Sequence, residues 1–352
     1  MTKRNGEKGA GLKGAVFCAY AFVLFDACAG HQQSAVDPAG PQSGKIAVLW
    51  WFFFGLLTTI FLIVMVFTLL TLTRRGHRSG QEPLNASHLP PGADEKELTR
   101  IVAAATIATV LILFVLLIAS VSTGKSISEL GDKKNGMVIE VTGNQWWWHV
   151  RYWNDDPSQM LVTANEIHIP TGRPVMIRGM SQDVIHSFWV PNLHGKRDLI
   201  PSRVTTEWIE ADQPGIYRGQ CAEYCGLQHA HMALWVIAEP QAKFDSWMKH
   251  QLRPASPPGG PTGERGKQIF LNSACIYCHS IRGTAAGGQT GPDLTHFGSR
   301  RSIAAGTLPN TIGNLGGWIT DPQGIKPGTH MATIPVSSED LQPLLEYIEG
   351  LK

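Results

Sequence analysis

The chain has 352 residues, enough for two or three domains that each have a core of their own. Its 30 lysines and arginines nearly balance 28 acidic residues, giving a formal net charge of +2, and this composition gives no support for nucleic-acid binding. Four of the 6 cysteines form two close pairs, Cys221/Cys225 and Cys275/Cys278. The histidines beside each pair indicate bound metals or cofactors rather than disulfides.

The first apolar stretch, Ala15 to Phe25, follows several basic residues and is too short to cross a membrane comfortably. Residues 1–27 are therefore predicted to be a signal peptide. The stretch ends in a sequence that resembles a lipoprotein cleavage site, which makes Cys28 the candidate lipid-bearing N-terminus. A plain signal peptide, or an uncleaved anchor in which Cys28 is an ordinary thiol, is the alternative.

Two longer apolar stretches predict transmembrane helices over residues 46–72 and 101–123, because each can cross a bilayer at about 1.5 Å per residue. Basic residues are concentrated in the intervening loop, residues 73–100. By the positive-inside rule this loop faces the cytoplasm, and everything after the second helix lies outside. The basic residues of the loop are Arg74, Arg75, Arg78, Lys96 and Arg100.

Short β-rich runs separated by Gly, Pro and Asn or Asp fill residues 130–240 and predict an all-β sandwich or barrel. Near its end, the segment from Cys221 to Met232 contains two thiols, an imidazole and a thioether. Sulfur and imidazole ligands suit copper, and a loop between two strands can fold such groups around one point. A second imidazole must then come from elsewhere in the sheet, and His186 is the best candidate.

Pro, Gly and Ser are abundant in residues 250–263, which are predicted to be a linker. The C-x-x-C-H motif that ends at His279 is the attachment signature of c-type haem: its two thiols bind the haem covalently and its imidazole binds the iron. Downstream, Met331 is the predicted second axial ligand, and the neighbouring His330 is the alternative. The alternative to haem attachment is that the two cysteines form a redox disulfide or bind zinc.

Two motifs carry a resemblance to a known family. The pattern C-x-E-x-C-x-x-x-H-x-x-M from Cys221, with H-S-x-x-x-P from His186, resembles subunit II of the haem–copper cytochrome c oxidases. The C-terminal module resembles a small class I cytochrome c, so the whole chain resembles a caa3-type subunit II. The resemblance implies a multidomain membrane protein with a two-helix transmembrane hairpin, an all-β cupredoxin barrel over residues 130–240 and an all-α class I cytochrome c domain over residues 264–352.

The family's dinuclear copper centre, CuA, implies a role for each motif residue. Cys221 and Cys225 would bridge two copper ions through their sulfurs, and the side chain of Glu223 would also reach a magnesium site shared with subunit I. The other expected copper ligands are His186, His229, Met232 and the backbone carbonyl of Glu223. The sequence alone leaves open whether His231 takes the place of His229.

Several further residues match the family. The run Gln145-Trp-Trp-Trp-His149 corresponds to a segment in which an exposed indole receives electrons, and position gives this role to Trp146; packing against the barrel or at the lipid interface is the alternative. Glu97 lies near the position of a carboxylate at the mouth of a proton channel, and a solvated helix cap is the alternative. Candidates for supporting or interface positions are Asp183, Lys196, Asp198 and Arg203.

By resemblance, the chain is expected to be subunit II of an aerobic respiratory oxidase in a bacterial plasma membrane. It would pass electrons from its haem c, or from an external cytochrome c, through CuA to the haem–copper subunit I, where haem a, haem a3 and CuB reduce oxygen with proton pumping. Expected partners are subunits I and III and a cytochrome c or quinol:cytochrome c reductase as donor. A membrane-tethered electron shuttle without a fixed oxidase is the alternative.

Overall fold

The computed structural model describes residues 33–75, 95–130 and 136–352. The predicted signal peptide with Cys28, and most of the predicted cytoplasmic loop, lie outside the described residues. Lys45–Glu129 forms one structural unit, and the outer domains belong to a second. The predicted fold class is confirmed: two apolar helices are followed by an all-β domain and a helical C-terminal domain.

Two long helices, α1 (Pro41–Arg75) and α2 (Glu95–Leu130), are each long and apolar enough to cross a membrane. Threonine hydroxyls within them bond back to the helix: Thr59 Oγ1 donates to the carbonyl of Gly55 at 2.8 Å. Such bonds satisfy polar groups where no water is available. Both helices extend beyond the predicted spans because helical geometry continues through the polar flanking residues, and Glu97 lies in the first turn of α2.

The β domain is built from two five-stranded sheets. The first has the strand order β3-β2-β1-β5-β8 and the second β4-β10-β9-β6-β7. β1 with β5, and β4 with β10, pair in parallel. The strands are β1 (Met137–Asn144), β2 (Trp147–Tyr152), β3 (Leu161–Ala164), β4 (Glu166–Pro170), β5 (Val175–Ser181), β6 (His186–Trp189), β7 (Arg197–Leu199), β8 (Thr205–Ile209), β9 (Gly215–Cys221) and β10 (Ala233–Glu239).

The core of this domain lies between the two sheets. Alternate residues of β1 and β2 point inward, so that Val141 pairs across the strands with Val150 and both are fully buried. Trp148 from the first sheet meets Phe188 from the second edge to face, with ring centroids 6.2 Å apart. The ring of His186 lies 6.1 Å from that of Trp148, so a rigid aromatic core supports the first residue of β6.

The C-terminal domain is mostly helical. The rings of Phe270 and Tyr347 lie 6.0 Å apart in its core. Its final helix is capped by Ser337, whose hydroxyl accepts a hydrogen bond from the Asp340 amide. The elements are α3 (Gln241–Gln251), which precedes the domain, α4 (Gly260–Leu271), α5 (Cys275–Cys278), β11 (Ser302–Ile303), β12 (Leu308–Pro309), α6 (Ile312–Thr320), α7 (Pro322–Ile325) and α8 (Ser338–Glu349).

The predicted linker is more ordered than its composition suggests. α3 ends at Gln251 and α4 begins at Gly260, so only a short segment inside residues 250–263 has no helix. Within that segment, the amide of Ala255 donates to the carbonyl of Arg282 at 3.0 Å. A linker fixed in this way holds the C-terminal domain close to the β domain.

Candidate functional site

Two thiols and an imidazole converge at one end of the β domain. Cys221 is the last residue of β9 and His186 the first of β6, and these strands are neighbours in the second sheet. Cys225 lies in the loop that leads from β9 towards β10. One ring nitrogen of His186 and the sulfurs of both cysteines lie within 4.8 Å of one another, and all three residues are buried.

The two cysteines are free thiols whose sulfurs lie 3.7 Å apart, well beyond the length of a disulfide bond. Interaction with the thiol of Cys225 lowers the pKa of Cys221, and the same interaction raises the pKa of Cys225, so one thiol of the pair ionises well before the other. The Cys221 sulfur also lies 3.2 Å from the carbonyl oxygen of Glu223. A bound cation would favour the thiolate form of both.

A carboxylate orients His186. Nε2 of His186 lies 2.7 Å from Oδ1 of Asp183, which leaves Nδ1 to face the Cys221 sulfur at 3.9 Å. Burial alone would lower the pKa of His186, but hydrogen bonds with Cys221 and Asp183 outweigh it and raise that pKa. A side chain on Gly143 would collide with the ring, since a Cβ there would come within 2.6 Å of it. The ring is therefore held in one orientation.

Two further predicted ligands approach the second thiol. Nδ1 of His229 lies 3.6 Å, and the Met232 sulfur 3.9 Å, from the sulfur of Cys225. His231 is exposed, and its Nδ1 lies 2.8 Å from the side-chain oxygen of Gln228. The structure thus brings His229 rather than His231 to the thiols. Two sulfurs, two imidazole nitrogens, a thioether and a carbonyl form a soft ligand set of the kind that binds copper.

The carboxylate of Glu223 is partly exposed. Its Oε2 accepts a hydrogen bond from Lys196 Nζ at 3.1 Å, and the same ammonium lies 3.7 Å from Asp198. Oxygen ligands of this type suit magnesium, and a cation shared with another subunit would have to displace Lys196.

Trp146 is buried, whereas the resemblance implied an exposed indole. Only 7 % of its surface is exposed, because it packs in the core cluster of the β domain and the C-terminal domain lies against it. The ring of His330 from that domain is 6.2 Å away. Its indole N–H donates to the carbonyl of Cys225 at 2.9 Å, and the side chain of Gln145 donates to the same oxygen at 2.8 Å. The side chain therefore lies between the thiol-bearing loop and the C-terminal domain.

The haem motif occupies a short helix and the residue after it. Cys275 is half-buried and Cys278 exposed at the two ends of α5, and both are free thiols. Nδ1 of His279 donates to the carbonyl of Pro292 at 2.8 Å, which leaves Nε2 unprotonated and able to bind iron. Burial lowers the pKa of His279, which favours this neutral form. A Cβ on Gly291 would come within 2.9 Å of the ring.

The predicted second axial ligand lies in a loop held by one side chain. Gln323 Nε2 donates to the carbonyls of Thr329 and Met331 at 2.8 Å and 2.9 Å. Met331 is half-buried, whereas His330 is exposed beside Trp146. The role of Met331 stays a prediction.

Sequence reasoning missed Lys326, which joins the C-terminal domain to the thiol-bearing loop. Its ammonium is buried and bonds to the carbonyl of Trp146 at 2.8 Å. A lysine in a Pro- and Gly-rich loop normally faces solvent, so the sequence contained no signal for this contact.

Comparisons with known proteins show which families this chain resembles. Residues 152–239 match the family of cytochrome c oxidase subunit II periplasmic domains, and residues 263–352 match the cytochrome c family. Cytochrome c oxidase subunit 2 of Alkalihalophilus pseudofirmus is 33 % identical, covering 94 % of both chains. The corresponding protein of Bacillus sp. strain PS3 is 32 % identical, covering 70 % of this chain and 73 % of that protein.

A solved structure is also similar in part. The periplasmic domain of cytochrome oxidase subunit II from Bradyrhizobium japonicum is 28 % identical and covers 34 % of this chain and 94 % of its own, with a TM-score of 0.32. Family membership, shown by the full-length relative, implies copper in the β domain, haem in the C-terminal domain and association with an oxidase subunit I. The chain belongs to the family of cytochrome c oxidase subunit II, as a membrane-anchored subunit of an oxidoreductase with a cytochrome c domain at its C-terminal end.

Proposed function

We propose that this subunit relays electrons from its C-terminal domain, through a dinuclear CuA site in its β domain, to the haem–copper subunit I of a respiratory oxidase. The observation that carries the proposal is the convergence of two thiols with His186, His229 and Met232 at one end of the β domain. Bound copper and haem supply one-electron redox chemistry. The residues of this chain determine where both groups are bound and how they are connected.

The copper site would be held by side chains that are already in place. Cys221 and Cys225 would supply two thiolates to a pair of copper ions, and His186 and His229 would supply imidazole ligands. Met232 and the carbonyl of Glu223 complete the set. The sulfur ligands are buried, and His186 and Cys221 lie on neighbouring strands. Little solvent and little protein would therefore need to rearrange when an electron arrives or leaves.

The haem would be attached through Cys275 and Cys278, with His279 and Met331 on the iron. Ligation by histidine and methionine raises the reduction potential of a c-type haem, which suits a donor to an oxidase. Trp146 links the two sites. The C-terminal domain lies against it, and its indole N–H donates to the Cys225 carbonyl in the thiol-bearing loop.

Family membership supports the proposed assembly. Subunit I would carry haem a, haem a3 and CuB and reduce oxygen with proton pumping, subunit III would complete the core, and a cytochrome c or a quinol:cytochrome c reductase would supply electrons to the haem. The two apolar helices would lie in a bacterial plasma membrane, with the outer domains on its outer face and Cys28 as a lipid anchor. Glu223 would also bind magnesium at the contact with subunit I.

Replacement of Cys221 tests this proposal. In the purified oxidase carrying Cys221→Ser, the haem should still be reduced by the donor, but its reoxidation by oxygen should stall. Tyr224→Phe, an exposed change in the same loop, serves as the matched control and should turn over normally. Unimpeded turnover of Cys221→Ser would refute the relay, and failure to isolate the chain with a polytopic haem protein in mild detergent would favour an electron shuttle.

A further inference from the structure

Lys326 is fully buried, with 1 % of its surface exposed, although lysine is one of the residue types least often found inside proteins. Its ammonium donates to three backbone carbonyls: Trp146 at 2.8 Å, His231 at 2.7 Å and Ala304 at 2.9 Å. An ammonium has three N–H donors, so each is satisfied.

These three carbonyls come from three segments that the chain brings together. Trp146 precedes β2 and bonds to the Cys225 carbonyl. His231 lies in the copper loop between two proposed ligands, and Ala304 lies in the turn between β11 and β12 of the C-terminal domain. Lys326 itself follows α7 and precedes the loop that carries Met331. The Lys326 side chain therefore joins the loop that carries Met331 to the thiol-bearing loop.

Further hydrogen bonds cross between the two domains around this point. Each joins a backbone or side-chain donor on one domain to an acceptor on the other. Together they fix the orientation of the C-terminal domain relative to the β domain. The bonds are Gln228 Nε2 to Pro327 O (2.6 Å), Ala233 N to Ala305 O (2.9 Å), Trp235 Nε1 to Ser302 Oγ (3.0 Å) and Arg301 N to Glu166 Oε1 (2.6 Å).

A buried cation makes this contact sensitive to small movements. Removing an ammonium from water is costly unless its donors are satisfied, and the three carbonyls meet only when both domains are docked. If the domains shifted, the ammonium would lose partners inside a dry contact, so the arrangement has one favourable geometry.

We propose that Lys326 is a positioning residue that fixes the C-terminal domain on Trp146, so that electrons reach the copper site without any movement of the domain. The inference rests on the proposed relay function. It implies that the indole is closed to diffusing donors, since the docked domain leaves Trp146 only 7 % exposed. An external donor must then deliver its electrons to the haem.

The test compares Lys326→Met with the exposed control Lys243→Met in the purified oxidase complex. The haem is reduced by a flash-activated ruthenium complex, and its reoxidation by the copper site is followed by absorption. Lys326→Met should reduce the docked population of the C-terminal domain, and a fall of that population to about a tenth would slow this step about tenfold. The slowed rate should fall further as solvent viscosity rises, because an undocked domain must diffuse back, whereas the parent and control rates should not depend on viscosity.

Haem and copper absorption spectra should remain those of the parent, which separates positioning from loss of either site. Lys326→Gln, which keeps two N–H donors, should give an intermediate rate and serves as the test if Lys326→Met fails to bind haem. An unchanged, viscosity-independent rate in the variant that retains haem would overturn the role of Lys326. If haem reoxidation also persists in Cys221→Ser, the proposed relay fails instead, so the two failures are distinguishable.

Discussion

The indole N–H of Trp146 donates to the carbonyl oxygen of Cys225 across 2.9 Å, which ties the covered tryptophan directly to a proposed copper ligand. The same indole lies beside His330 of the C-terminal domain. The Trp146 side chain therefore contacts both of the domains that are proposed to carry a redox group.

Trp146→Phe keeps a ring but removes the N–H, so we expect slower haem-to-copper electron transfer with both cofactors retained. Trp146→Ala, which also removes the ring, should slow the step by about tenfold or more, equivalent to about 1.4 kcal/mol in the activation barrier. Flash-induced haem reoxidation measures both. Trp153→Phe, at an exposed position of the β domain, is the control. Equal rates in Trp146→Ala and the parent would show that electrons take another route.

Asp183 fixes the ring of His186, so Asp183→Asn should weaken copper binding. Loss of such a supporting carboxylate costs about 10- to 100-fold in metal affinity. Competition with a copper chelator, followed through the absorption of the copper site, gives the affinity of each variant. Asp155→Asn, in an exposed loop, should bind copper like the parent. Parent-like affinity in Asp183→Asn would mean that the strands alone orient the imidazole.

Met331→Leu should leave the haem covalently attached but lower its reduction potential, because the axial thioether is lost. His330→Ala should leave the potential unchanged, since its ring lies beside Trp146 and Met331 is the proposed ligand. Spectroelectrochemical titration of the haem in both variants measures this. The opposite pattern, with a shift only in His330→Ala, would assign the iron ligand to His330.

Glu207 supplies a prediction on pH. It is 3 % exposed on β8, and its carboxylate oxygens have no hydrogen-bond partner among the residues that the structure describes. Nδ1 of His194 lies 3.5 Å from Oε2, but burial lowers the pKa of His194, so this imidazole does not supply a positive charge. Burial raises the pKa of Glu207 well above its usual 4.5. Because the folded pKa exceeds the unfolded one, the stability contributed by the protonated form is present below pH 4.5 and is lost as pH rises through the folded pKa.

Glu207→Gln should therefore stabilise the chain at neutral and alkaline pH by about 1–3 kcal/mol, because the amide stays neutral where the buried carboxylate carries an unpaired charge. The gain should shrink towards pH 4.5, where the carboxyl group of the parent is protonated. Calorimetric unfolding of the detergent-solubilised chain at several pH values shows this trend, with Asp155→Asn as a control. A variant that is destabilised at alkaline pH would contradict the prediction.

The sequence predicted most of the proposed copper site because its ligands are close in the chain. One segment between two strands contains Cys221, Cys225, His229 and Met232, so their spacing alone indicates that they bind the same group. His186 was also predicted, although it is distant in sequence, because its motif accompanies that spacing. Asp183 was assigned a supporting position from the same motif, and the structure shows the hydrogen bond behind it.

The docking of the two outer domains could not be predicted from local pattern. Trp146 is covered by residues far along the chain, and the burial of Lys326 depends on three carbonyls from separate segments. Secondary-structure propensity and the periodicity of hydrophobic residues describe single helices and strands, and they carry no information on contacts between domains. The predicted linker illustrates the same limit, since its composition favours flexibility while neighbouring segments hold Ala255 in place.

The central claim is that His186 and the loop from Cys221 to Met232 hold a pair of copper ions that share one electron. Electron paramagnetic resonance of the oxidised, copper-loaded protein, combined with metal analysis, tests it most directly. The account predicts a hyperfine pattern from one unpaired electron spread equally over two copper nuclei, and its loss in Cys221→Ser. A spectrum of a single copper, with one copper bound per chain, would contradict it.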